Sequence, residues 1–147
     1  GDDLADALHT LGRDFRARYG LEVAVSCPEL PVLTREAVSF LYRAARELLV
    51  NAIKHGRASR AEVRVELEGH VLRLMVEDQG QGFNPALFWD EHARSLGLPS
   101  LRNLARDLGG GMALDSSPGA GTRVVLMLPM ESLCEAPHPR EALLNHE

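Results

Sequence analysis

Leu4, Leu8, Leu11, Phe15 and Tyr19 recur at the spacing of one helix face, and Gly20 stands where such a helix would end. Leu21, Val23 and Val25 then alternate with their neighbours as far as Ser26, the period of a short strand. Cys27-Pro-Glu-Leu-Pro31 breaks that pattern. Thr34, with Ala37 following, is placed to cap a long helix that runs to about His55 and is stopped by Gly56. Ala61, Val63, Val65 and Leu67 alternate strictly with Glu62, Arg64 and Glu66. A Glu68-Gly69-His70 turn leads into a second strand, Val71 to Val76, so the pair predicts an antiparallel hairpin with one wet face. Asn84 to Leu96 has no clean period and carries Pro85 and a lone Trp89, which reads as a loop anchored by the indole. Leu98 to Leu108 predicts a helix closed by Gly109-Gly-Gly111. Met112 to Ser116 and Thr122 to Leu128 predict a last hairpin around Ser117-Pro-Gly-Ala-Gly121, and from Glu131 the chain turns polar, with Pro137 and Pro139.

Helix, strand, long helix, hairpin, loop, helix, hairpin leaves too few helices for repeated βαβ crossovers. The order predicts an α+β fold, a two-layer α/β sandwich whose mixed sheet of about five strands is covered by helices on one face. Residues 1–20 form the entering helix, 21–130 the domain proper and 131–147 a polar tail. At 147 residues one compact domain is expected.

A formal charge of −5 argues against non-specific nucleic-acid binding. If the ligand is a phosphate, the positive field must be local, from Lys54, Arg57, Arg60, Arg94, Arg102 or Arg106. Cys27 and Cys134 lie far apart and make no metal or redox spacing, which points to a reducing, cytoplasmic setting rather than a disulfide. No apolar run approaches the roughly 18–20 residues that cross a bilayer, and no signal peptide is visible. The chain has no initiator Met and begins partway into a helical pattern. It therefore reads as a piece of a longer protein, whose other parts could carry a membrane anchor while this domain makes no membrane contact.

The chemistry lies in two stretches. Glu47, Asn51, Lys54 and His55 fall on one helix face, a carboxylate, an amide oxygen, an ammonium and an imidazole, while Ala44, Leu48 and Ala52 suit packing on a sheet. Asp78-Gln-Gly80-Gln-Gly82-Phe83 puts an acid and two glycines at the end of a strand. Together they suggest a nucleotide–magnesium site with a base beside it. Each residue also has a plainer reading. Asp78 could simply make an Asp-x-Gly turn, and Asn51 could be a surface amide. Glu47 could pair with Arg43 one turn back, and Lys54 and His55 could answer the helix dipole. Gly97 and Leu98 open a helix whose free N–H groups suit a phosphate. Arg102, one turn on, is either a phosphate partner or part of a solvated face. Thr122, a β-former starting a strand, needs no further role.

Taken in order, ELLVNAIKH (Glu47 to His55), EDQGQGF (Glu77 to Phe83), SLGLPSLRNLARDLGG (Ser95 to Gly110) and SPGAGT (Ser117 to Thr122) resemble the boxes of sensor histidine kinase ATP-binding domains. These belong to the gyrase/chaperone/histidine-kinase/MutL ATPase superfamily, and the likeness runs over residues 4 to 129. Arg43 before Glu47, the Lys54-His55 pair and Gly97-Leu98-Pro99-Ser100-Leu101-Arg102 look like the nitrate-sensor and desaturase-regulator subgroup. Ser95 departs from the pattern where many members have glycine, Leu101 replaces a common methionine, and Asn103-Leu104 replaces the usual Glu-Arg.

The resemblance implies the Bergerat-type fold and ATP with Mg²⁺ as cofactors. It makes Asp78 the acceptor for the adenine amino group, with Gly80, Gly82 and Phe83 around the base and Thr122 reaching it through water. Asn51 becomes the magnesium ligand, and Lys54, His55, Gly97, Leu98 and Arg102 surround the phosphates. Glu47 becomes the catalytic base. Residues 1–20 become the link from a dimerisation domain carrying the phosphoaccepting histidine, and a response regulator becomes the next partner. His9 lacks the acidic neighbour typical of an acceptor histidine. Because dimerisation resides in the missing helices, the chain alone is expected to be mainly monomeric. Two alternatives stand beside this one: an anti-sigma-factor-type serine kinase, and a nucleotide-sensing module that binds a partner without transfer.

Overall fold

The computed structural model describes residues 3–82, 84 and 97–134. Helix α1 (Leu4–Tyr19) starts where the Asp3 carboxylate accepts a hydrogen bond from the Asp6 N–H at 2.9 Å. Strand β1 (Glu22–Ser26) follows, then helix α2 (Arg35–Lys54), strands β2 (Arg60–Glu68) and β3 (Val71–Asp78), helix α3 (Leu98–Asp107), and strands β4 (Gly111–Ser116) and β5 (Thr122–Pro129). A short 3₁₀ turn, Met130–Ser132, closes the described chain.

The five strands lie in the order β1-β2-β3-β5-β4; β1 runs parallel to β2 and every other pair is antiparallel. Among the described residues the three α-helices pack on one face: α1 on β1, α2 on β2 and β3, α3 on β4 and β5. The α+β expectation, with a mixed sheet covered on one side, is what the chain adopts. Leu4, Leu8, Leu11 and Phe15 from α1 share a single core with Leu41, Ala45, Leu48 and Leu49 of α2 and with the sheet's inner side chains. Residues 4–19 are thus part of the domain's own packing.

Three details depart from the sequence pattern. Tyr19 follows the apolar spacing of α1 yet is 56 % exposed, lying against Phe15 with ring centroids 5.3 Å apart. Leu67 pairs with the buried Leu72 on the inner face but sits beside the hairpin turn and remains 39 % exposed. Beyond residue 130, Leu133 is fully buried, its carbonyl accepts the Thr34 N–H at 2.8 Å, and Cys134 bridges to Leu33. Thr34 does cap α2, its hydroxyl accepting from the Ala37 N–H at 3.1 Å. The left-handed residue that turns the chain out of α2 is Arg57 (φ 49°), one position beyond the Gly56 the sequence suggested. Gly56 is small for another reason, given below.

The outer face of the sheet is charged. Arg64 pairs with Glu62 and Glu66, Arg73 with Glu68 and Arg123 with Glu77, each through an exposed arginine. Exposed pairs contribute about 0–1 kcal/mol each, so they keep that face wet more than they hold the fold. Among the described residues no helix is long and apolar enough to cross a membrane.

Candidate nucleotide site

Strand register builds the floor of the site. Along the inner face, Val63, Val76, Val124 and Leu114 form one row across β2, β3, β5 and β4, and Val65, Leu74, Leu126 and Met112 form the next. At one end of the sheet the row changes character to Ala61, Asp78, Thr122 and Ser116. A carboxylate and two hydroxyls thus stand side by side where the apolar core ends. Asp78 is the last residue of β3, two positions beyond the predicted strand end, and is only 8 % exposed.

Burial above all pushes the Asp78 carboxyl above its ordinary range. The backbone N–H groups of Gly80 and Thr122 hydrogen-bond to it and pull the other way, the first at 2.8 Å, and the neighbouring Glu77 adds a push upward. The Ser116 hydroxyl donates to the Gly121 carbonyl at 2.9 Å and lies 2.8 Å from the Thr122 hydroxyl.

The loop after β3 threads between the end of α2 and the β4–β5 turn. Gln81 donates its N–H to the Gly56 carbonyl at 2.7 Å, and its own carbonyl accepts from Gly119. Gly80 presses so closely on Gly56 that a Cβ would overlap the Gly56 carbonyl oxygen. That oxygen belongs to backbone and cannot step aside. A Cβ at Gly56 would in turn crowd the Ala52 carbonyl at 3.0 Å and Asp78 Oδ1 at 3.4 Å. Phe83, which was expected beside the base, lies outside the described residues, as do Trp89, Arg94 and Ser95.

The polar edge of α2 carries Glu47 and Lys54 exposed, and Asn51 and His55 half-buried, with His55 as the C-cap. Gly97, the N-cap of α3, has φ 73°, and a Cβ on it would lie 2.6 Å from Glu47 Oε1. The Glu47 carboxylate therefore rests against the start of a helix whose first N–H groups have no helical acceptor. Leu98 buries its side chain in the core, so only its backbone can face a ligand. Arg102, one turn on, is half-buried; partial burial and then the nearby Arg106 pull its guanidinium below the usual arginine range. Of the other candidate cations, Arg60 pairs with Glu22 at 3.4 Å on the outer face.

The fold thus gathers Asp78, Gly80, Gly82 and Thr122 at one end of α2, and brings Glu47 to Gly97 farther along the same helix. Sequence reasoning missed Ser116, and it named Gly56 and Gly121 only as a helix stop and a turn residue. The signal for Ser116 was weak, a hydroxyl ending an alternating strand. Among the described residues no group of three or more His, Cys, Asp or Glu could hold a metal. A magnesium ion at Asn51 would take its remaining ligands from phosphate and water, as that ion usually does.

The family described as "Histidine kinase-, DNA gyrase B-, and HSP90-like ATPase" matches residues 36–132, and the chain belongs to it. Among curated relatives, an "Uncharacterized sensor-like histidine kinase" of Chloroflexus aurantiacus is 36 % identical over 95 residues, 63 % of this chain and 16 % of that protein. "Sensor histidine kinase LiaS" of Bacillus subtilis is 28 % identical over 131 residues, 88 % of this chain and 35 % of that protein. The chain therefore spans about a third or less of the length of these relatives. Two solved structures share the fold. The blue-light activated histidine kinase of Erythrobacter litoralis superposes with a TM-score of 0.72 at 26 % identity, covering 86 % of this chain and 42 % of that one. The "ATP binding domain of PrrB" from Mycobacterium tuberculosis gives 0.67 at 27 % identity, covering 86 % and 93 %.

Proposed function

We propose that this chain is the ATP-binding catalytic domain of a two-component sensor histidine kinase. It transfers the ATP γ-phosphoryl group to a histidine on a dimerisation domain outside this sequence, for relay to a response regulator. The observation that carries this reading is the contact between Glu47 and Gly97, which sets a carboxylate against a helix N-terminus suited to a phosphate. Its similarity to sensor histidine kinases supports a histidine as acceptor.

In this scheme the Asp78 carboxylate accepts a hydrogen bond from the adenine amino group. Gly80 and Gly82 let backbone lie against the ring, and Thr122 reaches it through water. Lys54, His55, Arg102 and the backbone at Gly97 and Leu98 hold the phosphates. Asn51 would hold Mg²⁺ when it is bound, and the ion would supply neutralisation of the charge on the phosphates. An imidazole nitrogen of the acceptor forms a bond to the γ-phosphorus as the bond to ADP breaks, and Glu47 orients or takes up the imidazole proton. The chain alone binds nucleotide as a monomer and turns it over poorly, lacking its acceptor.

The test is γ-labelled ATP with Mg²⁺ on the full-length protein, native and Glu47→Gln. Label that is lost in acid, survives base and falls sharply in the variant supports the reading. Acid-stable label on a serine of a partner would replace it with the serine-kinase alternative. Nucleotide binding without any transfer would leave a nucleotide-sensing module.

A further inference from the structure

Resting on the adenine site proposed above, we infer that Ser116 is a positioning residue for Asp78. It clamps the peptide unit that joins Gly121 to Thr122, and the N–H of that unit steadies the carboxylate that receives the adenine amino group.

Among the described residues, Asp78 and Ser116 are the two buried polar side chains, and Thr122 lies between them in the end row of the sheet. A buried hydroxyl needs a partner, and the Ser116 proton finds one in the Gly121 carbonyl at 2.9 Å. That carbonyl shares a planar peptide with the Thr122 N–H, so the two point in opposite directions from one rigid unit. The Thr122 N–H bonds to the Asp78 carboxylate, beside the Gly80 N–H at 2.8 Å. Ser116 thus holds one end of the peptide while Asp78 accepts from the other, and each bond polarises the next. The Thr122 hydroxyl, which reaches the base through water, is no part of this link.

This peptide needs a clamp. Gly121 has φ 78°, and a Cβ on it would overlap the Asp78 carbonyl oxygen, so the position suits only glycine. Glycine in turn leaves the rotation of the peptide that follows it weakly restricted. The Ser116 hydroxyl supplies the restriction that a side chain at 121 cannot. Without it the peptide can tilt, and the carboxylate keeps only the Gly80 N–H. The ionised form is then less well held, at a place where burial already works against it. The charged and titratable groups on the elements around Asp78 are Glu77 on β3, Arg60 on β2, Arg123 on β5, Asp115 on β4, and Lys54 and His55 at the end of α2. They are common to every variant below, so a difference among variants does not come from them.

The experiment follows the Asp78 carboxyl carbon by NMR against pH in the ligand-free chain, native, Ser116→Ala, Thr122→Val and the double variant, with Asp78→Asn assigning the signal. Circular dichroism and thermal melting confirm folding. Ser116→Ala should titrate at a pH about half to one unit above native, a part of what a hydrogen bond to a charged group contributes. Thr122→Val keeps its N–H and should titrate near native, and the double variant should match Ser116→Ala. Ser116→Cys, similar in shape but a weak donor, should shift in the same direction, which keeps the test decisive if the alanine variant does not fold. Calorimetry with ADP over the same range should show the acid limb of binding moving with the carboxyl in each variant.

A Ser116→Ala chain that melts lower yet titrates as native has lost only a lock on the β4–β5 turn, and that result overturns the inference. So does a shift produced in full by Thr122→Val, since the hydroxyl and not the peptide would then carry the effect. Both results leave the adenine site standing. A carboxyl that shifts while ADP binding does not follow it overturns the adenine site at Asp78, and with it the role given to Ser116.

Discussion

Alanine at Gly97 separates the position of Glu47 from the stability of α3. Two costs follow from the geometry. The left-handed backbone at φ 73° costs an L-residue about 1–2 kcal/mol, which lowers the melting temperature by roughly 4 °C per kcal/mol at this size. The new Cβ would also lie 2.6 Å from Glu47 Oε1, so the carboxylate must retreat by roughly 0.8 Å to reach ordinary contact. Glu47 is exposed and can move, so the fold survives. A displacement near 1 Å of a reacting group costs up to roughly 100-fold in rate. Gly109, at the other end of the same helix, is the control. Its φ is 86°, but a Cβ there meets only Pro129 Cγ at 3.6 Å, so it suffers the backbone cost without touching Glu47. Autophosphorylation of full-length Gly97→Ala and Gly109→Ala should therefore differ by one to two orders of magnitude at similar melting temperatures, with nucleotide affinity within a few-fold of native in both. Equal transfer rates, once corrected for folded fraction, would refute a catalytic carboxylate held against Gly97.

Two further expectations come from the floor of the site. Because burial raises the Asp78 pKa in the folded chain, the folded state binds more protons than the unfolded one between that raised value and the ordinary 3.8. In that window stability should rise as pH falls, while affinity for an adenine nucleotide should drop, at higher pH than an exposed aspartate would give. Parallel melting and calorimetric titrations check both signs, and Asp78→Asn should remove this component of each profile. Gly80→Ala should unseat the loop after β3, because its Cβ would strike the Gly56 carbonyl rather than a side chain that can turn away. Loss of nucleotide binding together with slowed or failed folding is expected, and a native-like melting temperature would contradict it.

Local chemistry was legible in the sequence and distant register was not. Apolar spacing and caps at Thr34 and Gly20 gave the helices, because each depends on residues within a turn or two. Strict alternation gave the first strand of one hairpin, and the turn residues at Gly69 and at Ser117–Gly121 marked both hairpins. Glu47, Asn51 and Asp78 stood out because helix spacing and a strand end place such groups by local rules alone. Ser116 did not, since its meaning requires β4 to lie beside β5 in one particular register. Nor did the pairing of Glu47 with Gly97, which depends on how α3 docks against α2. Gly56 reads from the sequence as a helix stop, whereas a Cβ on it would crowd the Ala52 carbonyl and the Asp78 carboxylate, and Arg57 makes the left-handed turn. Tyr19 and Leu67 obeyed their patterns and still stayed exposed, because periodicity says which face a residue takes and not how far the opposing layer extends.

The central claim, an adenine nucleotide held through Asp78, is tested most directly by calorimetry with a non-hydrolysable ATP analogue and Mg²⁺ on the native chain and on Asp78→Asn. The account predicts micromolar-range binding to the native chain, on the order of −8 kcal/mol, and its loss in a variant that melts as a folded protein. A well-folded native chain that does not bind, or an Asp78→Asn variant that binds as tightly as native, would contradict it.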